Sequence, residues 1–287
     1  MRRSCLREGT LVSAEVWMGY LVDAHEDFVV VQSPFVHNGA RVFGADSDAT
    51  TLAVAGLLHR LQSESVESVS VPDGIDGQSL SIATGVRLHD DESDETSPWD
   101  VLMSDEATVV IAKHGANVAL TPLDVEIEVD PAFNEALEAA WKTELTAAHV
   151  SQGAYVSRAQ YEEAATSRLS LLGQSAADNT VWPPRYTHVV DGTPTTTHRL
   201  KRTGTVQSWT TLSAAGAPSE FSLRAPLLDG VSTVFLKLDD GPKGVFLTVD
   251  DESPDLTMGA RMELVFRRLY AQEGFIRYGL KARSIDD

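Results

Sequence analysis

The last third of the chain switches to a two-residue apolar/polar period, and this switch limits the fold more than any other feature. Val206, Ser208, Thr210 and Leu212 alternate with Thr205, Gln207, Trp209 and Thr211. Val231–Leu238 and 244–249 flank Asp239-Asp240-Gly241-Pro242-Lys243, which has the chemistry of a hairpin connection. Residues 261–269 set Met262, Leu264 and Phe266 against Arg261, Glu263 and Arg267, and 274–282 make a fifth strand. Five short strands in succession fit a small barrel.

An OB-fold is the economical choice for those five strands. The residues before them read differently. Phe28–Gln32 is a buried strand closed by Ser33-Pro34, and Thr108-Val109-Val110-Ile111-Ala112 is a second. Asp46-Ser47-Asp48 caps a helix over 49–61, whose Leu52, Ala55, Leu58 and Leu61 recur at helical spacing. Residues 11–22 are open between strand and helix. Residues 68–71 and 79–86 read as strands joined by the Pro72-Asp73-Gly74 turn, and 89–99 as an acidic, solvated loop. Helices are expected over 131–148, with proline at the start, and over 158–171, with Tyr161 and Leu169 inward. The expected fold class is therefore α+β. An N-terminal α/β domain spans 1–150, a leading helix and ribbon span 151–200, and an antiparallel OB-fold barrel spans 201–287.

Charge is distributed unevenly. The 287 residues carry 23 Lys+Arg against 42 Asp+Glu, a net of −19. From Arg199 onward, basic and acidic residues balance at 12 each, so the excess lies upstream. Such acidity keeps a chain soluble and is used by halophiles, the expected origin here. It argues against a phosphate-backbone binder. Hydrophobic residues make up 43%, enough for a core, yet no apolar run is long enough to cross a bilayer. A lone cysteine, Cys5, excludes an intrachain disulfide and fits the reducing cytoplasm.

Several residues carry a family resemblance. Pro183-Pro184-Arg185 is followed by Gly204-Thr205-Val206, Ser208-Trp209-Thr210, Ala225-Pro226, Leu238-Asp239-Asp240-Gly241 and Met258-Gly259-Ala260-Arg261. In this order and spacing the stretch from Gly153 onward resembles the zinc-ribbon/OB-fold family catalogued as domain of unknown function thirty-five. Members accompany thiolases and hydroxymethylglutaryl-CoA synthases. In that family two C-x-x-C-G pairs flank Pro-Pro-Arg. Here the matching positions are Gln174 and Ala177, then His188 and Asp191 with Gly192. Zinc takes about four Cys or His ligands, so the ribbon is expected to be degenerate and metal-free. Residues 41–54 also resemble a segment of hydroxymethylglutaryl-CoA synthases, which implies a degenerate thiolase-like first half. That half lacks the internal cysteine such enzymes use.

The resemblance implies a non-catalytic accessory subunit of a thiolase or hydroxymethylglutaryl-CoA synthase complex. No cofactor of its own is expected, with coenzyme A or acyl-CoA as a shared ligand. Arg185, Arg199, Arg202 and Trp209 are the expected contacts with ligand or partner. Two alternatives stay open. Trp209, Phe221 and Phe235 can stack single-stranded bases beside Arg199, Lys201 and Arg202, or the chain is itself a degenerate acyl-CoA enzyme. His25-Glu26-Asp27 and Lys113-His114-Gly115 read as solvated turns. No Gly-x-Ser-x-Gly, Walker or Gly-x-Gly-x-x-Gly motif is present.

Overall fold

In the computed structural model the described residues are 14–89, 97–120, 123, 125–146, 158–176, 179–184, 189–190, 193–253, 256–272 and 274–285. The N-terminal half opens with β1 (Glu15–Trp17), β2 (Tyr20–Ala24) and β3 (Phe28–Gln32). Within the stretch 11–22, ambiguous in sequence, the described residues from Glu15 onward form a hairpin. Met18 and Gly19 both adopt positive φ, 53° and 82°, the pattern of the two-residue turn that matches strand twist. Next come β4 (Phe35–His37), β5 (Ala40–Arg41), α1 (Ala49–Arg60), β6 (Ser68–Val69), α2 (Gly77–Thr84), β7 (Arg87–Leu88), β8 (Trp99–Ser104) and β9 (Thr108–Lys113). An antiparallel sheet in the order β1-β2-β3-β9-β8 forms the scaffold.

Helix α1 starts where the sequence places it. Asp48, not Asp46, is the cap: its carboxylate accepts the Thr51 amide at 3.0 Å, and Thr51 Oγ1 accepts the Asp48 amide at 3.0 Å. The helix lies close against the sheet at Gly56, where a Cβ would fall 2.6 Å from Ile111 and 2.7 Å from Val31. Helix α2 corrects the expected strand over 79–86. The Asp76 side chain accepts both the amide and the hydroxyl of Ser79, each at 3.0 Å, and Gly85 ends the helix with φ 75°. Leu80 and Ala83, three apart, are its buried face.

After β10 (Ile127–Glu128) come α3 (Pro131–Glu144) and α4 (Arg158–Leu169), then β11 (Leu172–Ala176), β12 (Asn179–Val181), β13 (Val189–Val190), β14 (Thr193–Pro194) and β15 (Thr197–Arg199). Strands β12-β11-β15 form a small antiparallel sheet at the place of the expected ribbon. Gln174 lies within it, while Ala177, Arg185, His188, Asp191 and Gly192 lie outside the described residues.

The last five strands are β16 (Thr203–Leu212), β17 (Val231–Leu238), β18 (Lys243–Thr248), β19 (Arg261–Gln272) and β20 (Phe275–Ser284), and they close a barrel in the order β16-β17-β18-β20-β19. The chain is thus a mixed α+β protein with an OB-like barrel. Four of its pairings are antiparallel, and the β18–β20 pairing is parallel. Val206, Val234, Leu236, Leu264 and Ala282 fill its interior.

One apolar core runs from the N-terminal sheet into the barrel. It holds Leu52, Leu57, Val29 and Ile111 together with Val265, Phe266 and Tyr278. Helix α1 therefore packs between the sheet and the outer wall of β19. This burial explains a misread alternation: Arg267, outward in the two-residue pattern, has 0% exposure because the N-terminal half covers that wall.

Candidate functional site

A lattice of buried charges occupies the seam between the two halves. The Asp46 carboxylate accepts the Asp250 amide at 3.0 Å and lies 2.8 Å from Lys281 Nζ and 3.3 Å from Arg267 Nε. Lys281 also reaches Asp250 at 2.7 Å. Arg224 continues the chain of pairs, 3.3 Å from Asp250 and donating from Nε to Glu144 at 2.8 Å. Burial pushes the Asp46 carboxyl up, but Lys281 and Arg267 outweigh it and hold the group below its ordinary range. Burial wins at Glu144 and Asp250, which stay raised despite Arg224 and Lys281. Cations and carboxylates alternate through the lattice and neutralise one another. The arrangement suits a fixed clamp better than an acid–base pair.

Asp251 lies beside this lattice. Burial first, and then the Asp46 charge, push its carboxyl up to about 7. One carboxylate oxygen is buried with no hydrogen bond, and the residue lines a cavity of about 210 Å³ between Phe35, Phe43 and α3.

Trp209 stands at the mouth of the barrel. A bulge between Val206 and Ser208 shifts the register, so Trp209 faces the same side as Val206, Val234 and Phe246. There the barrel opens and Trp209 is 43% exposed. It lines a cavity of about 590 Å³ with Thr211, Phe221, Ser232, Thr248 and Leu256, and also with Asp229, Asp250 and Glu252. Of these carboxylates, Asp250 is paired with Lys281 and Arg224, and Glu252 with Arg283.

The arginines lie elsewhere. Arg202 precedes β16 and Trp209 sits seven residues on, a separation of roughly 20 Å along a strand. Arg199 donates to the carbonyls of Ala83, at 3.2 Å, and of Thr84 at the C-terminus of α2, where a cation also meets the helix dipole. Arg202 donates to the Leu264 carbonyl at 3.4 Å. Burial, with Arg199 adding to it and Glu263 opposing, lowers Arg202 to about 10. The structure thus brings Arg199 and Arg202 together and separates both from Trp209. Arg185 lies outside the described residues.

A third cavity, about 470 Å³, opens between α4, Trp182-Pro183 and the barrel. Trp182 stacks on Phe246 with centroids 5.7 Å apart, and its Nε1 donates to the Ser167 carbonyl at 3.2 Å. Gly244 permits the stack, since a Cβ there would lie 2.8 Å from Phe246 and 2.9 Å from Trp182.

The two polar turns behave as read. His25 pairs with Asp23 at 2.9 Å, and Lys113 and His114 pair with Asp27 and Asp100 at 3.1 and 2.9 Å. Sequence reasoning missed Arg224, Glu144, Asp250 and Lys281. For Lys281 a signal existed: it interrupts the apolar run Gly279-Leu280-Lys281-Ala282 in a strand, where an unpaired cation would be costly.

No family profile matches the chain. No curated protein matches it either. Among solved structures, one named "Ltp2-ChsH2(DUF35) aldolase" aligns with 45% of this chain and 97% of the other, at 18% identity and a TM-score of 0.30. No helix among the described residues is long and apolar enough to cross a membrane.

Proposed function

We propose that this chain is a non-catalytic accessory subunit of a thiolase or hydroxymethylglutaryl-CoA synthase complex, and that it helps hold acyl-CoA for its partner. The observation that supports this most is the order of parts. A helix, a small three-stranded sheet with Pro183-Pro184 just after its strand Asn179–Val181, and a closed OB-like barrel follow one another as the sequence resemblance implies. Trp209, exposed at the barrel mouth, is suited to a protein partner, because aromatic anchors dominate interface energetics. The cationic corner of Arg199, Lys201 and Arg202, with Arg185 nearby in sequence, is suited to the phosphates of coenzyme A. The net charge of −19 disfavours a nucleic-acid backbone.

The test is a pull-down of the tagged full chain from its native lysate at native salt, with mass spectrometry of the partners. A stoichiometric acyl-CoA-condensing enzyme is the expected result. Recovery of nucleic acid, or of the chain alone, overturns the reading.

A further inference from the structure

The cavity between α4, Trp182 and the barrel has the make-up of a small-molecule site. Its volume, about 470 Å³, lies in the range of ligand pockets. Leu169, Trp182, Phe246, Leu269 and Leu280 give it apolar walls. Among the described residues that line it, Arg168 is the one charged side chain. Arg168 is exposed, and Tyr270 on the same wall feels its charge. Burial raises the Tyr270 phenol above its ordinary value, with Arg277 and Arg168 opposing, so it remains a hydrogen-bond donor at neutral pH. The second tyrosine, Tyr278, already donates to Asp48 at 2.8 Å. An apolar body with a single cation and a phenol at its edge is complementary to one kind of guest.

We propose that this cavity binds an aliphatic monocarboxylate, with the chain against Trp182, Phe246 and Leu280 and the carboxylate on Arg168 and the Tyr270 hydroxyl. Arg168, the one cation among the described lining residues, sets the head group. Coenzyme A bears several phosphate charges, which one arginine on a chain of net charge −19 does not offset. The assignment goes beyond the accessory-subunit reading and does not depend on it.

Binding of dodecanoate to the full-length protein, followed by titration calorimetry and by tryptophan fluorescence, tests it. Saturable one-to-one binding is expected, with dodecyltrimethylammonium at least about tenfold weaker, because a charge-assisted hydrogen bond is worth that much. Arg168→Glu is expected to weaken dodecanoate binding at least tenfold, and Arg168→Lys to retain most of it. Ala164→Trp, placed on the helical wall, is expected to fill the cavity and abolish binding. Equal binding of the two surfactants overturns the proposal, as does an Arg168→Glu variant with unchanged affinity. Because Arg168 is exposed, that second variant reports even where Ala164→Trp fails to fold. Competition by coenzyme A lacking an acyl chain also overturns it. The pull-down is a separate readout: loss of the partner enzyme leaves dodecanoate binding in place, and loss of dodecanoate binding leaves the partner in place.

Discussion

The guanidinium carbon of Arg224 sits over the indole of Trp141, 3.7 Å from the ring centroid, although the two residues are far apart in sequence. Arg268 also lies over the same indole, at 4.3 Å, so Trp141 contacts two cations. The indole Nε1 donates to the Ala45 carbonyl at 2.8 Å. This stack, with the Arg224–Glu144 pair, fastens α3 onto the barrel. Arg224→Ala is expected to destabilise the protein by about 3–5 kcal/mol, because buried Glu144 would lose its ion-pair partner and Asp250 would keep Lys281 alone. The double variant Arg224→Met/Glu144→Leu is expected to recover part of that loss. Urea unfolding curves of the two variants check this.

Asp251 makes stability fall as pH rises. Its carboxyl is raised to about 7 in the fold, whereas an unfolded aspartate titrates near 3.9. Between these values the folded state holds a proton that the unfolded state has released. Stability is therefore full below about 4 and declines until about 7, at up to about 1.4 kcal/mol per pKa unit. Asp251→Asn is expected to flatten that interval and to stabilise the protein above it. Melting temperatures across the interval, measured for both proteins, decide the point.

Asp239 gives the opposite slope at lower pH. The Arg261 hydrogen bonds, at 2.7 and 2.8 Å, hold its carboxyl at about 2. Its contribution is present above the unfolded value near 3.9 and is lost as pH falls toward about 2. Asp239→Asn is expected to lower neutral-pH stability modestly, since the pair is partly exposed, and to remove the acid-dependent loss of that same contribution. Acid titration followed by circular dichroism is the check.

Gly244→Ala is expected to separate Trp182 from Phe246. The added methyl would lie under 3.0 Å from both rings, and overpacking of this kind costs about 1–3 kcal/mol. A red shift of Trp182 emission and faster proteolysis of the residues around 170–200 are the expected signs.

Arg199→Ala separates two roles for that residue. Its guanidinium holds the last carbonyls of α2. The variant is expected to lose about 0.5–1.5 kcal/mol of stability, the net worth of an ordinary hydrogen bond, because Arg199 is exposed. If Arg199 also meets phosphate, affinity for coenzyme A falls beyond what the unfolding curve explains. An unchanged affinity confines it to the helix end.

Much of the fold was legible because it depends on local pattern. The five barrel strands announced themselves by a period of two, and α1 by Asp48 and its apolar spacing. Helix α2 was misread because Leu80, Ile82 and Thr84 also fit alternation, and only the Asp76–Ser79 cap, three residues apart, points the other way. The charged seam was illegible for a different reason. Asp46 meets Asp250 and Lys281 across more than two hundred residues, and no local spacing records such a pairing. Arg267 looked like a solvent-facing residue on a two-faced strand, since nothing in β19 itself reveals that a second layer covers it. The site residues divided similarly. Trp209 was found as an exposed aromatic, but its distance from Arg199 and Arg202 follows from the strand direction and the bulge.

The alternating charges between Asp46 and Glu144 bear on how such a chain can be shortened. Three of the cations, Arg224, Arg267 and Lys281, belong to the barrel half, and Asp46 and Glu144 belong to the half before residue 150. A gene trimmed to the barrel alone would encode a protein whose outer wall carries Arg267 and Lys281 without Asp46 and Arg224 without Glu144, with Asp250 left to face the cations among bare apolar side chains. Such a fragment would attract acidic partners indiscriminately or aggregate. The first half remains in place as the counter-ion of the second.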